Sequence, residues 1–477
     1  MKLAHRARLA YSVLSLAAAA SLAMPIDAHA TDVSGTAPSP AAAVRPIAPA
    51  SMGIVTNSRP TLRWSNALAA NGARVEICAD RNCTRVIATI ESRGTELRPM
   101  QDLAPGTYYW RATAMLDVAC VGPASAVWSF TVRQRGAPTD TTIGIRADLD
   151  GDGRVDSVHG VTLAGERGRA TIELAAHHEP LAMRAVDAGE SFGDAAAMAG
   201  DIDGDGYGDV AVGAPSYNRD AGRVYVYFGA HGGLAPRVQT LDAPHAEGRF
   251  GWSVSAAGDV DADGYGDVIV GAYEFAGGEG RAYLYRGTAS GLETTPAVTL
   301  DGDGSLSNFG VSVAGAGDID ADGFADVIVG ADLANDRVGR AFVYRGSASG
   351  LIATAATTID GFVSHGDFGI AVAGGFDFDA DGYGDVAIGA HAHGGVGRAH
   401  VFFGSRHGVF ANQAVSLVPE RGEREFGVTL AIANDTDTDG DGYDDLRVGL
   451  VHGDEWLEGD RLVRGASRPR QLASVSR

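Results

Sequence analysis

The sequence predicts an all-β chain: a β-propeller of six blades (alternatively seven), each a four-stranded sheet, preceded by a small β-sandwich. Three observations carry this. A unit of 53 to 60 residues recurs from about residue 142 to 465. Each unit pairs an Asp-rich loop with short apolar strands and shows no helix-period segment. The composition, 66 Gly with 16 Phe, 14 Tyr and 5 Trp in 477 residues, suits tight turns between short strands and neither a helical bundle nor disorder.

Residues 1–30 read as an export signal. Lys2, Arg6 and Arg8 form a positive start, residues 9–24 are an apolar stretch, and Ala28-His29-Ala30 is a small-x-small cleavage site. No later stretch is apolar for 18 residues, so the mature chain is expected to lack a transmembrane segment and to work outside the cytoplasm, in the periplasm, at the cell surface or secreted. Residues 31–45 read as a flexible linker.

Residues 46–133 alternate as short strands do. Leu62 and Trp64 share one face, and a Pro105-Gly106 turn leads into Tyr108-Tyr109-Trp110. About 90 residues of this kind suit a sandwich, and these motifs resemble a fibronectin type III module. Cys78 and Cys83 flank a turn-like tetrapeptide and are a disulfide candidate in an oxidising compartment. Cys120 is left over, either as a free thiol or as a partner to one of the others.

Phe192-Gly193, Phe250-Gly251, Phe309-Gly310, Phe368-Gly369 and Phe426-Gly427 mark five units of the repeat. Acidic loops begin at Asp148, Asp201, Asp259, Asp318, Asp377 and Asp437. One four-stranded sheet cannot cover both its faces, and radial packing of the sheets covers them. Residues 466–477 are left as a C-terminal tail.

Every loop has Asp at positions 1, 3, 5 and 9 and Gly at position 6. The candidate metal ligands are Asp148, Asp150, Asp152 and Asp156; Asp201, Asp203, Asp205 and Asp209; Asp259, Asp261, Asp263 and Asp267; Asp318, Asp320, Asp322 and Asp326; Asp377, Asp379, Asp381 and Asp385; and Asp437, Asp439, Asp441 and Asp445. Alternate positions turn carboxylates to one side of a tight loop, Gly allows the bend, and the position-7 carbonyl can add a ligand. Hard oxygen donors in such a cage favour Ca²⁺, up to six ions. The loops hold 24 of the 60 acidic residues, and the other 36 nearly balance 38 basic ones. Six Ca²⁺ would bring the net charge from −22 to about −10. Position 7 is aromatic in five loops, at Tyr207, Tyr265, Phe324, Tyr383 and Tyr443, as packing residues; Arg154 departs in the first.

The Phe-Gly pairs, the Asp loops and the segments Gly213-Ala214-Pro215, Gly271-Ala272-Tyr273, Gly330-Ala331-Asp332 and Gly389-Ala390-His391 resemble the FG-GAP repeat of integrin alpha subunits and of bacterial exported proteins. The resemblance covers about 142 to 465. The first unit lacks Phe-Gly, and the last has Gly449-Leu450-Val451 and two extra residues before its loop.

Loops at the propeller end opposite the acidic loops vary in sequence, and the resemblance implies that they bind a ligand, as that face does in integrins. Tyr217, Arg219, Arg249, Tyr273 and Phe275 are the candidate contacts, since aromatics and Arg anchor interfaces. His391 and His393 read as ordinary loop residues. The partner expected is a protein or a glycan; a net charge of −22 argues against nucleic acid. No nucleophile elbow, His-Glu-x-x-His or phosphate loop occurs. The expectation is therefore a non-enzymatic, calcium-stabilised scaffold for adhesion or recognition. The alternatives are a propeller-associated hydrolase acting on phospholipid or glycan, and a carbohydrate-binding propeller.

Overall fold

The computed structural model describes residues 44–466 except 67–69, 117–118, 133–141, 146, 153, 162–168, 176–179, 185–190, 305, 433–442 and 453–456. The signal, most of the linker and nearly all of the tail lie outside the described residues. No helix among the described residues is long and apolar enough to cross a membrane.

The N-terminal part is a two-sheet sandwich. One sheet joins Arg45–Ala48, Leu62–Ser65 and Glu96–Leu97; the other is built on Gly106–Leu116, flanked by Gly72–Cys78 and Trp128–Val132. Trp64, Trp110, Trp128 and Phe130 fill the space between them and are fully buried. Cys78 and Cys83 are joined by a disulfide with Cα atoms 5.1 Å apart, while Cys120 is a free, exposed thiol.

The repeats form a β-propeller. Four sheets have four antiparallel strands in chain order, as in Ser253–Gly258, Asp267–Ala272, Arg281–Tyr285 and Val298–Asp301. The second strand is buried at every position, because a neighbouring sheet covers each of its faces. The fourth alternates and borders solvent. The first strands line a central cavity of about 1140 Å³. A bulge before the second to fifth loops, as between Ala256 and Gly258, turns the first strand into the acidic turn.

Phe-Gly is the staple between blades. Phe250 forms a parallel bridge with Gly222 of the preceding unit, and its ring meets Tyr283 and Tyr285 of its own third strand edge-on at 5.6 and 6.0 Å. The core around it mixes two units, with Val224 and Phe228 from one and Val268 and Tyr283 from the next. The Gly of each Gly-Ala segment admits the next unit's Phe-Gly: a Cβ on Gly271 would stand 2.1 Å from the Gly310 carbonyl oxygen. Gly271→Ala is therefore expected to cost about 3 kcal/mol by wedging two blades apart, measured as a fall in the urea midpoint with an unchanged slope.

The first unit differs from the expected four strands. Among the described residues its sheet has three: Ser157–Val161, Arg169–Glu173 and Leu181–Arg184. Thr142–Ile145, which precedes its loop, pairs instead with Gly53–Val55 of the sandwich. The physical reason is the missing staple: no Phe-Gly and no earlier blade hold that strand against its own sheet. The last unit also departs. Glu423–Arg424 and Leu430–Ile432 both pair with Leu446–His452, so its inner strand is split in two.

Candidate metal centres and partner face

The acidic loops fold alike in the second to fifth units, and backbone amides set the fold. In the third unit the Asp263 and Gly264 N–H groups donate to Asp259 Oδ1 and Oδ2 at 3.0 and 2.9 Å. The Tyr265 N–H donates to Asp263 Oδ1 at 3.0 Å. Asp267 ties the loop to the sheet, with Oδ2 accepting from the Val260 N–H and Oδ1 from the Gly287 N–H, each at 2.9 Å. Gly287, at the end of the third strand, packs so close that a Cβ would stand 2.4 Å from the Gly266 carbonyl oxygen. Positions 1, 5 and 9 are thus placed by the main chain.

Position 3 behaves differently. In the second to fourth loops one oxygen of the carboxylate meets an Arg: Asp203 Oδ2 pairs with Arg237 at 2.8 Å, Asp261 Oδ2 with Arg286 at 3.2 Å, and Asp320 Oδ2 with Arg345 at 2.7 Å. The other oxygen, Oδ1 of Asp203, Asp261 and Asp320, is buried with no hydrogen-bond partner. A buried carboxylate oxygen left bare costs free energy unless a cation meets it, and the same atom is bare in three consecutive loops.

The carboxylates converge. Ligand atoms lie within 4.8 Å of one another in Asp148, Asp150 and Asp156; Asp201, Asp203 and Asp209; Asp259, Asp261 and Asp263; Asp318, Asp320 and Asp326; and Asp377, Asp379 and Asp385. Burial, and to a lesser degree the neighbouring carboxylates, pushes Asp201, Asp259 and Asp377 up to about 8 and Asp318 up to about 7. The same causes raise Asp209, Asp267, Asp326 and Asp385 well above the usual carboxylate range. Three or four mutually close, poorly solvated carboxylates fit a hard divalent cation.

The first loop differs at one bond, the Asp152 N–H donating to Asp150 instead of to the position-1 Asp, while the Arg154 N–H to Asp152 and the Leu149 N–H to Asp156 bonds are those of the other loops. Asp437, Asp439 and Asp441 lie outside the described residues. Asp445 holds the Gly465 N–H at 3.2 Å, as the other position-9 residues hold theirs. Adjacent loops are also linked. The Gly208, Gly266, Ala325, Gly384 and Asp444 N–H groups donate to the carbonyls of Asp148, Asp201, Asp259, Asp318 and Asp377, the first residue of the preceding loop.

Sequence reasoning missed Arg237, Arg286 and Arg345. A recurrent Arg-Gly at the end of the third strand, Arg286-Gly287 and Arg345-Gly346, was a signal for two of them. It also left the position-7 aromatics as plain packing, whereas Tyr207 and Tyr265 each receive a guanidinium from the sandwich, Arg81 at 3.8 Å and Arg45 at 4.6 Å.

At the other end, Arg249, Tyr273 and Phe275 come together around Glu274. Arg249 pairs with Glu274 at 2.8 Å and with Asp220 at 3.7 Å. Tyr273 is buried, donates its hydroxyl to Glu274 at 2.8 Å and packs its ring 4.6 Å from Trp252. Phe275 lies under Arg281 at 3.9 Å and beside His245. On the preceding unit, Tyr217 lies under Arg223 at 3.8 Å, and Arg219 is exposed with φ of 59°. His391 is 3.8 Å from Asp367, and His393 packs on His400. The groups of three or more possible metal ligands among the described residues are all Asp loops.

A family model described as FG-GAP repeat matches residues 192–227, 250–285, 309–344 and 368–402. Integrin alpha-6 of Gallus gallus is 39% identical over 150 residues, which is 29% of this chain and 13% of that protein. Integrin alpha-IIb of Homo sapiens is 39% identical over 157 residues, 30% of this chain and 15% of that one. Integrin alpha pat-2 of Caenorhabditis briggsae is 32% identical over 266 residues, 48% and 21% respectively. The chain thus spans about a fifth or less of the length of these relatives. Among solved structures, the rhamnogalacturonan lyase YesW shares 14% identity over 91% of this chain and 92% of its own, with a TM-score of 0.31. The Dos1 propeller shares 10% over 86% and 76%, with a TM-score of 0.32. With its four matched repeats, its stapled four-stranded sheets and its recurrent acidic loops, the chain carries an FG-GAP β-propeller related in sequence to integrin alpha subunits.

Proposed function

We propose that the protein is an exported, calcium-stabilised, non-enzymatic propeller scaffold that recognises a protein ligand on the face opposite the acidic loops. The observation that carries the calcium reading is the bare, buried Oδ1 at position 3 of three loops, on a carboxylate that belongs to a converging Asp cluster in each. Each ion would be held by the four Asp of its loop, with six ions for six blades. A six-bladed ring is supported by the central cavity, which strands of all six sheets line, from Val158 in the first to Leu430 in the last. The convergence of several carboxylates in each loop supports reading them as ion ligands and not as acid–base catalysts. The sandwich covers the loop end through Arg45 and Arg81, so the Arg249–Phe275 end is the one open to a partner. Export and the fibronectin type III likeness of the sandwich stay part of this proposal on their sequence motifs.

The test is a calorimetric titration of metal-stripped protein with Ca²⁺ and with Mg²⁺, alongside thermal melts in calcium and in EGTA. At calcium tenfold above Kd each site adds about 1.4 kcal/mol, or about 8 for six independent sites. The midpoint should rise by about 10 °C or more. No heat of binding together with superimposable melts would rule the reading out.

A further inference from the structure

The sandwich does more than sit near the acidic loops; it grips their backbone. Arg81 Nη2 donates to the Gly206 carbonyl at 2.6 Å while its guanidinium stacks on Tyr207. Arg45 repeats the grip one loop on, with Nη1 donating to the Asp263 carbonyl and the guanidinium over Tyr265. Trp128 Nε1 donates to the Gly204 carbonyl at 3.2 Å, from a fully buried ring of the sandwich core. Gly206 and Gly264 pack so tightly that a Cβ would meet the Val127 and Pro46 carbonyl oxygens at 2.5 and 2.8 Å. The three gripped carbonyls occupy loop positions 4, 5 and 6, between the ligand carboxylates of positions 3 and 9.

We infer that docking of the sandwich and ion occupancy of the second and third loops form one coupled equilibrium: Ca²⁺ fixes the backbone that Arg45, Arg81 and Trp128 bind, and its removal releases the sandwich from the propeller. This rests on the calcium reading above and adds a regulated joint to it. Coupling of this kind is reciprocal, so the docked sandwich must tighten the same two sites by the factor by which calcium favours docking.

Charge alone pulls the other way, since an ion-free loop is more negative and draws guanidinium groups harder. That term is the smaller one. Arg45 and Arg81 hold the loops by carbonyl oxygens and ring faces, whose positions exist only while the loop keeps its fold. An attraction between solvent-side charges is screened, whereas a hydrogen bond to a carbonyl of fixed direction vanishes when the loop loosens.

The test uses the full chain with Ca²⁺ alone as the probe. Spin labels are placed by Arg93→Cys and Leu306→Cys in a Cys120→Ser background, one on the sandwich and one on the propeller, with Leu306→Cys and Val396→Cys as an internal propeller control. The sandwich–propeller distance is expected to be narrow in calcium and broad in EGTA at 10 °C, while the control pair stays narrow. In calorimetry, Arg45→Ala with Arg81→Ala should weaken two sites by about fivefold or more and leave the others unchanged. Should that variant fail to fold, Tyr207→Leu with Tyr265→Leu removes the ring-face half of the grip from the propeller side and should weaken the same two sites in the same direction. Calcium binding with an unchanged or broader sandwich–propeller distance would overturn the coupling and leave the calcium reading intact. Absence of any binding heat would overturn both.

Discussion

Asp267→Ala is expected to destabilise the propeller by about 3–7 kcal/mol. Asp267 is 1% exposed, and its two oxygens take the Val260 and Gly287 N–H groups. Truncation leaves both amides buried without an acceptor, at about 1–3 kcal/mol each. On the calcium reading it also loosens the ion's cage, which adds about 1.4 kcal/mol at calcium tenfold above Kd. Damage should spread along the ring, because the Gly266 N–H holds the preceding loop and the Asp259 carbonyl takes the Ala325 N–H of the next. Asp261→Asn supplies the contrast. Asp261 Oδ1 receives no hydrogen bond and Oδ2 meets only Arg286, so the fold should lose about 1 kcal/mol or less in EGTA. Its calcium site should nonetheless weaken by about tenfold or more, since the amide oxygen can still ligate but carries no charge. Urea titrations of the two variants, each in calcium and in EGTA, separate the residue that holds the loop from the one that faces the ion. Equal losses for both in EGTA would refute the division of labour.

The repeat made most of the propeller legible from sequence. Phe-Gly, the Asp spacing and the Gly-Ala strands are local signals, and each maps to a contact within one unit or with the next: Phe250 on Tyr283, Asp267 on Gly287, Gly271 against Gly310. What stayed hidden depends on residues far apart in the chain. Arg81 and Gly206 are 125 positions apart, and nothing local to Arg81 marks it as a partner of an acidic loop. Arg237 lies 34 residues beyond Asp203 and reaches it across the blade's outer strands. The path of Thr142–Ile145 is a competition between two sheets, decided by the missing Phe-Gly corner and by the edge that Gly53–Val55 offers. A one-dimensional pattern ranks neither edge above the other.

In EGTA the protein should lose stability as pH rises from about 4 to 8, and calcium should abolish that slope. Asp201, Asp259 and Asp377 stand at about 8 and Asp318 at about 7 in the folded chain, against an ordinary value of 3.8, with burial as the main cause and nearby carboxylates adding to it. A folded-state pKa raised above the unfolded one means that the native chain binds more protons through this window. The stability these groups contribute is full below about pH 4 and drains away as pH passes through the folded values. Every tenfold gain in proton affinity on folding is worth about 1.4 kcal/mol. Several such groups together cost an amount comparable to the roughly 5–15 kcal/mol by which a domain is usually stable. The ion-free loops must then keep their protons or open well before pH 8. A divalent ion removes the dilemma, because it stabilises the ionised carboxylates that burial penalises and competes with protons for the same oxygens. The melting midpoint in EGTA should accordingly fall by about 10 °C or more between pH 5 and pH 8, and the gain from calcium should be small at pH 5 and largest at pH 8. A midpoint in EGTA that holds level or rises across that range would show that the loop carboxylates are already satisfied without a metal, and the position-3 oxygens would then need another partner.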